Sequence, residues 1–154
     1  MSERPLSIKR RIMDHLVERI SELKNDLDVL DPALKLVERA VNPLQESKAL
    51  PSVFIYDGTE QEVERDTKGR TYNFPVILVL RLKATKLPAE TLDTYVAAIQ
   101  EKMEANIQLD ALGVVMDDAS VEPFINDLDG PVIGAAISYR VQYRRKLGLP
   151  WETY

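Results

Sequence analysis

The chain has 154 residues, 45 % of them hydrophobic and 29 % charged, with a formal net charge of −5 and a pI near 5.0. That length fits one domain able to bury ~70 % of its unfolded surface, and the acidic balance argues against a general DNA-coating role, which needs many phosphate-neutralising cations. The absence of cysteine excludes a disulfide framework and a thiolate metal site; no run approaches the ~18 apolar residues of a membrane span, and no apolar signal core follows the charged N-terminus.

Ser7 to Leu27 reads as an amphipathic helix. Ile8, Ile12, Leu16, Ile20, Leu23 and Leu27 recur at helical spacing and form one stripe, the other faces being charged. Ser2 or Ser7 suits its N-cap, and Asp31-Pro32 halts anything helical. LKLVERAV, from Leu34 to Val41, fits a short strand or a helical turn and is read as a strand. NPLQESKALP follows as a loop. SVFIY, Ser52 to Tyr56, is a compact β-branched and aromatic strand closed by Asp57-Gly58. In the charged stretch that follows, Glu62 to Asp66 and Arg70 to Phe74 read as two arms of a projecting hairpin around a Lys68-Gly69 turn.

FPVILVLRLK, Phe74 to Lys83, is a strong strand. Val76, Leu78, Leu80 and Leu82 share one face, and Ile77, Val79 and Arg81 the other, the pattern of a central strand. Pro75 lacks an N–H, so pairing is expected to break there. Pro88 to Asn106 reads as a second helix with Leu92, Tyr95, Val96, Ile99 and Met103 as its stripe. GVVMDDASV, Gly113 to Val121, reads as a strand interrupted at Asp117-Asp118, and Asp129-Gly130 as a turn.

The strongest pattern lies in PVIGAAISYRVQYRRK, Pro131 to Lys146. Ile133, Ala135, Ile137, Tyr139, Val141 and Tyr143 alternate with Gly134, Ala136, Ser138, Arg140, Gln142 and Arg144, which predicts a strand with one buried face. A slip of one residue would expose that whole buried row, so this strand is expected to fix the sheet's register. It also divides the charge. Met103 to Tyr139 holds seven acidic residues and no Lys or Arg, and the next seven residues hold Arg140, Arg144, Arg145 and Lys146. From Arg145 an irregular tail carries Trp151 and Tyr154, which either dock back on the body or anchor a neighbouring subunit. The predicted class is α+β: a mainly antiparallel sheet with two helices packed on it and a long hairpin.

Candidate chemistry is sparse. The single histidine, His15, flanks a helical stripe, and one histidine without cysteine makes a Ser-His-Asp or Cys-His site hard to build. Asp127, Asp129 and Gly130 match the start of a calcium loop, but Val132 and Ser138 then stand where Gly and Glu are required. Asp117, Asp118 and Glu122 suggest magnesium only weakly, because neighbouring strand residues point to opposite faces. No Gly-rich phosphate loop is present. Neither a cofactor nor a metal is expected, and no enzyme.

The order of elements, and above all the closing ISYRVQYRRKLGLPWETY with its alternating aromatic–basic strand and Leu149-Pro150-Trp151, resembles the tail terminator proteins of long-tailed, lambda-like bacteriophages. The N-terminal helix, the hairpin before FPVILVLRL and the helix LPAETLDTYVAAIQEKM fit the same layout. The resemblance implies a homohexameric ring that caps the tail tube, stops polymerisation of the major tube protein and presents a surface to the neck proteins of the head. DNA would pass through its lumen unbound, and no membrane is involved. The location implied is the virion's tail–neck region, with host cytoplasm during assembly.

On that reading Glu60, Glu62, Glu64, Asp66, Asp117 and Asp118 are expected to face the lumen or tube in part. Arg140, Arg144, Arg145, Trp151 and Tyr154 are expected at a subunit or neck interface. Another neck component, a head–tail connector or tail-completion protein, is the nearest alternative. A small nucleic-acid-binding or regulatory module using Arg140, Arg144 and Arg145 is a more distant one.

Overall fold

The computed structural model describes residues 6–24, 27–41, 49–83, 86–105, 115–126 and 132–152, with the backbone alone at Val115, Asp118, Ala119 and Asn126. The fold is α+β. Two helices, α1 (Ile8–Ser21) and α2 (Pro88–Glu104), lie on one face of a six-stranded sheet. The strands are β1 (Leu36–Arg39), β2 (Ser52–Asp57), β3 (Gln61–Arg65), β4 (Gly69–Lys83), β5 (Val115–Asn126) and β6 (Val132–Lys146). They lie in the order β1-β2-β4-β6-β5, with β3 continuing the β2 side of β4. β1 runs parallel to β2; every other pairing is antiparallel.

β4 and β6 form the spine, paired without a break over 15 residues from Gly69↔Lys146 to Lys83↔Val132. The alternation read from the sequence holds along β6: Ile133, Ala135, Ile137, Tyr139, Val141 and Tyr143 are all buried. Opposite them stand Leu82, Leu80, Leu78, Val76, Phe74 and Tyr72, also buried, and α1 and α2 close over this row with Ile12, Leu16, Ile20, Tyr95, Ile99 and Met103. A smaller apolar cluster of Ala40, Phe54, Tyr56 and Val79 sits on the other face. There Arg81 is buried with its guanidinium 5.9 Å from the Phe54 ring centroid, so β4 is central and buried on both faces.

Ser7 caps α1 by accepting from the Arg10 N–H. The helix stops earlier than its apolar stripe suggests. After Ser21 a single 3-10 turn, Glu22–Lys24, tightens the chain, and the Leu23 carbonyl is taken by the N–H of Leu34. Leu27 therefore lies outside the helix and is 65 % exposed. α2 ends at Glu104, close to the expected bound.

The hairpin also differs from expectation, because its second arm and the strand Phe74–Lys83 are one continuous β4. Pro75 breaks pairing on one side only. Its carbonyl accepts from Gly58 N–H at 2.8 Å, on the side where the ladder passes from β2 to β3, while the β6 side runs through Pro75↔Arg140 undisturbed. A strand residue's N–H and C=O point to the same neighbour, so the missing donor falls where no ladder bond is needed.

In β5 the expected interruption at Asp117-Asp118 is a bulge. Asp118 pairs with Tyr139 and Ser120 with Ser138, leaving Ala119 extra, and the strand continues to Asn126. The tail is more ordered than predicted. β6 reaches Lys146, and the N–H of Lys146 bonds the Glu152 carbonyl at 2.9 Å. The Pro150 carbonyl accepts from Ile8 N–H at 3.0 Å, and Arg11 donates to the Trp151 carbonyl at 2.6 Å. The backbone of Trp151 is thereby tied to α1 of its own chain. Tyr154, the Asp127–Gly130 segment and the Asn42–Lys48 loop lie outside the described residues.

Candidate functional site

Among the described residues two surfaces stand out beyond the core: the hairpin end of the spine and the open border formed by β5.

At the hairpin end the helices no longer cover the sheet, and tyrosines and arginines take their place. Tyr72 and Tyr143, opposite each other on β4 and β6, stack with ring centroids 5.9 Å apart. Arg145 lies 4.2 Å from the Tyr72 ring centroid and donates to its hydroxyl at 2.8 Å; Arg70 donates to the same oxygen at 3.4 Å. Those guanidinium hydrogen bonds, Arg70's first, hold the Tyr72 hydroxyl below its ordinary pKa. Tyr143 goes the other way. Burial and its hydrogen bond to Glu60, at 2.8 Å, push its hydroxyl well up, so it stays protonated as the donor. Glu62 is held below the usual carboxylate range chiefly by the Arg65 guanidinium, which forks onto it at 2.8 and 3.2 Å.

The register of β3 separates acids that the sequence placed together. Glu62 is opposite Tyr72, and a bulge at Val63 then sets Glu64 opposite Thr71, on the other face. Asp66 joins that outer face, where it pairs with Arg144. Asp117 is exposed on the far border of the sheet, in register with exposed Arg140. The structure thus puts Glu60 with Glu62, and Glu64 with Asp66, on opposite faces, and brings neither pair to Asp117. Arg144 and Arg145 are engaged by Asp66 and Tyr72 of their own chain. The hairpin end, read from the sequence as a charged projection, has its Glu62 and Asp66 paired with Arg65 and Arg144 of the same chain.

Asp66 also closes the hairpin turn. Its Oδ1 accepts from the N–H groups of Lys68 and Gly69, each at 2.8 Å, and Leu147 N–H reaches the Lys68 carbonyl at 3.3 Å, which ties the turn to the exit of β6. The two backbone donors, and after them Arg144, depress the Asp66 pKa. A carboxyl depressed in the folded state contributes fully above its unfolded pKa, and the contribution disappears as pH falls through the folded value. Protection of the Lys68 and Gly69 amides, measured against the intrinsic exchange rate at each pH, is therefore expected to hold at neutral pH and to be lost only below the ordinary carboxylate range. In Asp66→Ala that protection is expected to be lost at every pH; hydrogen exchange followed by NMR reads both.

The second surface was not legible beyond Val121. Opposite the buried Ile137, Ala135 and Ile133 of β6 stand Val121, Pro123 and Ile125 of β5, on the helix side of the sheet. The helices do not reach them: Val121 is 39 % and Ile125 74 % exposed, and Pro123 is exposed too. The hydrogen-bond alternation follows from Pro75. Its backbone groups face β2 and β3, so those of Arg140, and of Ser138, Ala136 and Gly134 in turn, face β5. Val121, Pro123 and Ile125 consequently aim their backbone groups out of the sheet. Pro123 removes one outward donor in the middle of that border, which blunts strand addition and leaves side-chain packing as the natural mode of contact.

Among the described residues no group of three or more His, Asp or Glu is placed to hold a metal, and no helix is long and apolar enough to cross a membrane. No family model matches the chain, and no curated protein matches it.

Proposed function

We propose that the chain is a ring-forming tail terminator of a long-tailed bacteriophage, which caps the tail tube, halts its growth and offers a surface for joining the head. The observation that carries the reading is the uncovered apolar row Val121, Pro123 and Ile125 on an open sheet border. Such a row is suited to association and costs solubility if left bare. The layout supports it: a capped N-terminal helix, a stiff hairpin braced by the last strand, a second helix, and an aromatic–basic strand whose exit folds back on α1. In a ring, head-to-tail contacts close on themselves instead of running on into a fibre. Of Arg140, Arg144 and Arg145, which a nucleic-acid module would present to phosphates, the last two are held by Asp66 and Tyr72, and this favours assembly over nucleic-acid binding.

The test adds purified protein to growing tail tubes and measures their length and end structure by cryo-electron microscopy. Tubes that stop and carry a ring of this chain at one end are expected. Tubes that lengthen unchanged, or a map that places the chain elsewhere in the neck, would overturn the reading.

A further inference from the structure

One cross-strand row runs the whole width of the sheet. Lys35 donates its N–H to the Pro51 carbonyl at 2.8 Å, and Pro51 follows the Ser52↔Arg81 pair, beside Leu82. Leu82 pairs with Ile133, and Ile133 with Ile125. The two ends of this row are complementary. At the β5 end Ile125 projects as an exposed aliphatic knob. At the β1 end lies an apolar hollow of about 210 Å³, between the start of α2 and the ends of β1, β2 and β4. Its floor and walls come from Leu50, Pro51, Leu82 and Tyr95. A cavity of about 150 Å³ accepts a benzene molecule, so this one has room for a branched aliphatic side chain.

Charge matches as well as shape. The charged residues lining the hollow are Lys35 and Lys83, both exposed cations. β5 carries Asp117, Asp118 and Glu122 and no Lys or Arg. Exposed Glu122 lies three residues from Ile125 on the opposite face of β5, so the acids of this border act on the two lysines at a distance and not as direct partners. Burying the Ile125 side chain contributes on the scale of other core aliphatics, and the long-range attraction between the acidic border and the two lysines sets orientation more than affinity.

We infer that Ile125 of one copy of this chain seats in the Leu50–Pro51–Leu82–Tyr95 hollow of the next, with Lys35 and Lys83 turned toward the acidic border. The inference rests on the ring reading above and names its subunit contact. Because knob and hollow are different surfaces of one molecule, the contact is head-to-tail: each copy gives Ile125 to one neighbour and a hollow to the other.

The absence of native cysteine gives a clean test. Two full-length single variants, Ile125→Cys and Lys83→Cys, are purified and treated with a short bismaleimide, separately and mixed, at high protein concentration. Both positions are exposed, so neither variant disturbs the core. The mixture is expected to give a dimer linked between positions 125 and 83, identified by peptide mass. The double variant is expected to give a ladder of covalent oligomers that ends at the closed ring. Ile125→Asp in the otherwise unchanged chain is expected to abolish self-association in sedimentation while leaving the thermal midpoint unchanged.

A 125–125 dimer as the main product would mean that β5 borders pair back to back, and it overturns the inference. So does an absence of 125–83 product, or self-association that survives Ile125→Asp. The two readings fail separately. A 125–83 ladder from a protein that does not stop tube growth removes the terminator reading alone, whereas capped tubes without the ladder remove this contact alone.

Discussion

Truncating Phe74 to alanine is expected to lower stability by about 3–5 kcal/mol, the usual cost of deleting a fully buried aromatic ring. In a chain of this size about 1 kcal/mol corresponds to a shift of ~2–4 °C, so the thermal midpoint should fall by roughly 6–20 °C. Phe74 has no solvent exposure and stands where three elements meet. Its ring takes Tyr143 edge-on at 6.0 Å, and the Lys9 ammonium of α1 lies 5.0 Å from its centroid. Lys9 in turn bonds Asp57 at the end of β2, which is also gripped by Arg39. Removing the ring therefore opens a cavity at the join between the helix layer and the hairpin platform, and little can collapse into it because β4 and β6 are pinned through that row. Val63→Ala, at an exposed bulge residue, is the matched control and is expected to stay within about 0.5 kcal/mol of the parent. Thermal and urea unfolding followed by circular dichroism would compare them. Equal midpoints for the two variants would show that the ring does not carry the packing described.

Much of this architecture was legible because it is written in local periodicity. The strict alternation from Ile133 to Tyr143 specifies a two-faced strand wherever its partners lie, and the stripes of α1 and α2 specify which helix faces are buried. What the sequence concealed depends on neighbours. Whether Pro75 breaks a sheet turns on which flank its nitrogen faces, and that is decided by Gly58 and Arg140, both far away in sequence. Whether Glu62 and Glu64 share a face turns on the bulge at Val63, a register shift against β4 that no local pattern records. The same holds for Arg144 and Arg145, whose partners Asp66 and Tyr72 are 78 and 73 residues away. Charges that read as a free basic end are spent in bracing the hairpin. The apolar spacing Val121, Pro123, Ile125 was present as a signal, and Pro123 cut it short: proline reads as a strand end unless the strand is an edge with that nitrogen outward.

Gly134 shows how closely the β5 border is fitted to the spine, and Gly134→Val is expected to be the most damaging single substitution there. The glycine lies opposite Phe124 on β5, on the face away from the helices. A Cβ at this position would collide with the Leu80 carbonyl oxygen and stand 2.5 Å from one carbon of the Phe124 ring and 2.8 Å from another. The requirement is for space: the aromatic ring covers the bare backbone of its cross-strand neighbour, and only glycine admits that approach. The ring can swing aside and expose its apolar face, but the carbonyl belongs to the central strand and moves only if β4 and β6 part. Overpacking of this kind typically costs about 1–3 kcal/mol, and the backbone clash puts Gly134→Val at the upper end, roughly 6–12 °C in midpoint.

Gly134→Ala is expected to act in the same direction with a smaller loss. Combining it with Phe124→Ala separates the causes. The ring's share of the clash is relieved in the double variant and appears as a positive coupling, while the carbonyl's share persists. Amide exchange should quicken at Glu122 and Phe124, whose N–H groups face β6, in every Gly134 variant, since β5 pairs with β6 alone. If Gly134→Ala leaves both the midpoint and β5 protection unchanged, the ring does not sit on the glycine. The border that presents Ile125 would then lack the rigid backing that holds the knob in place.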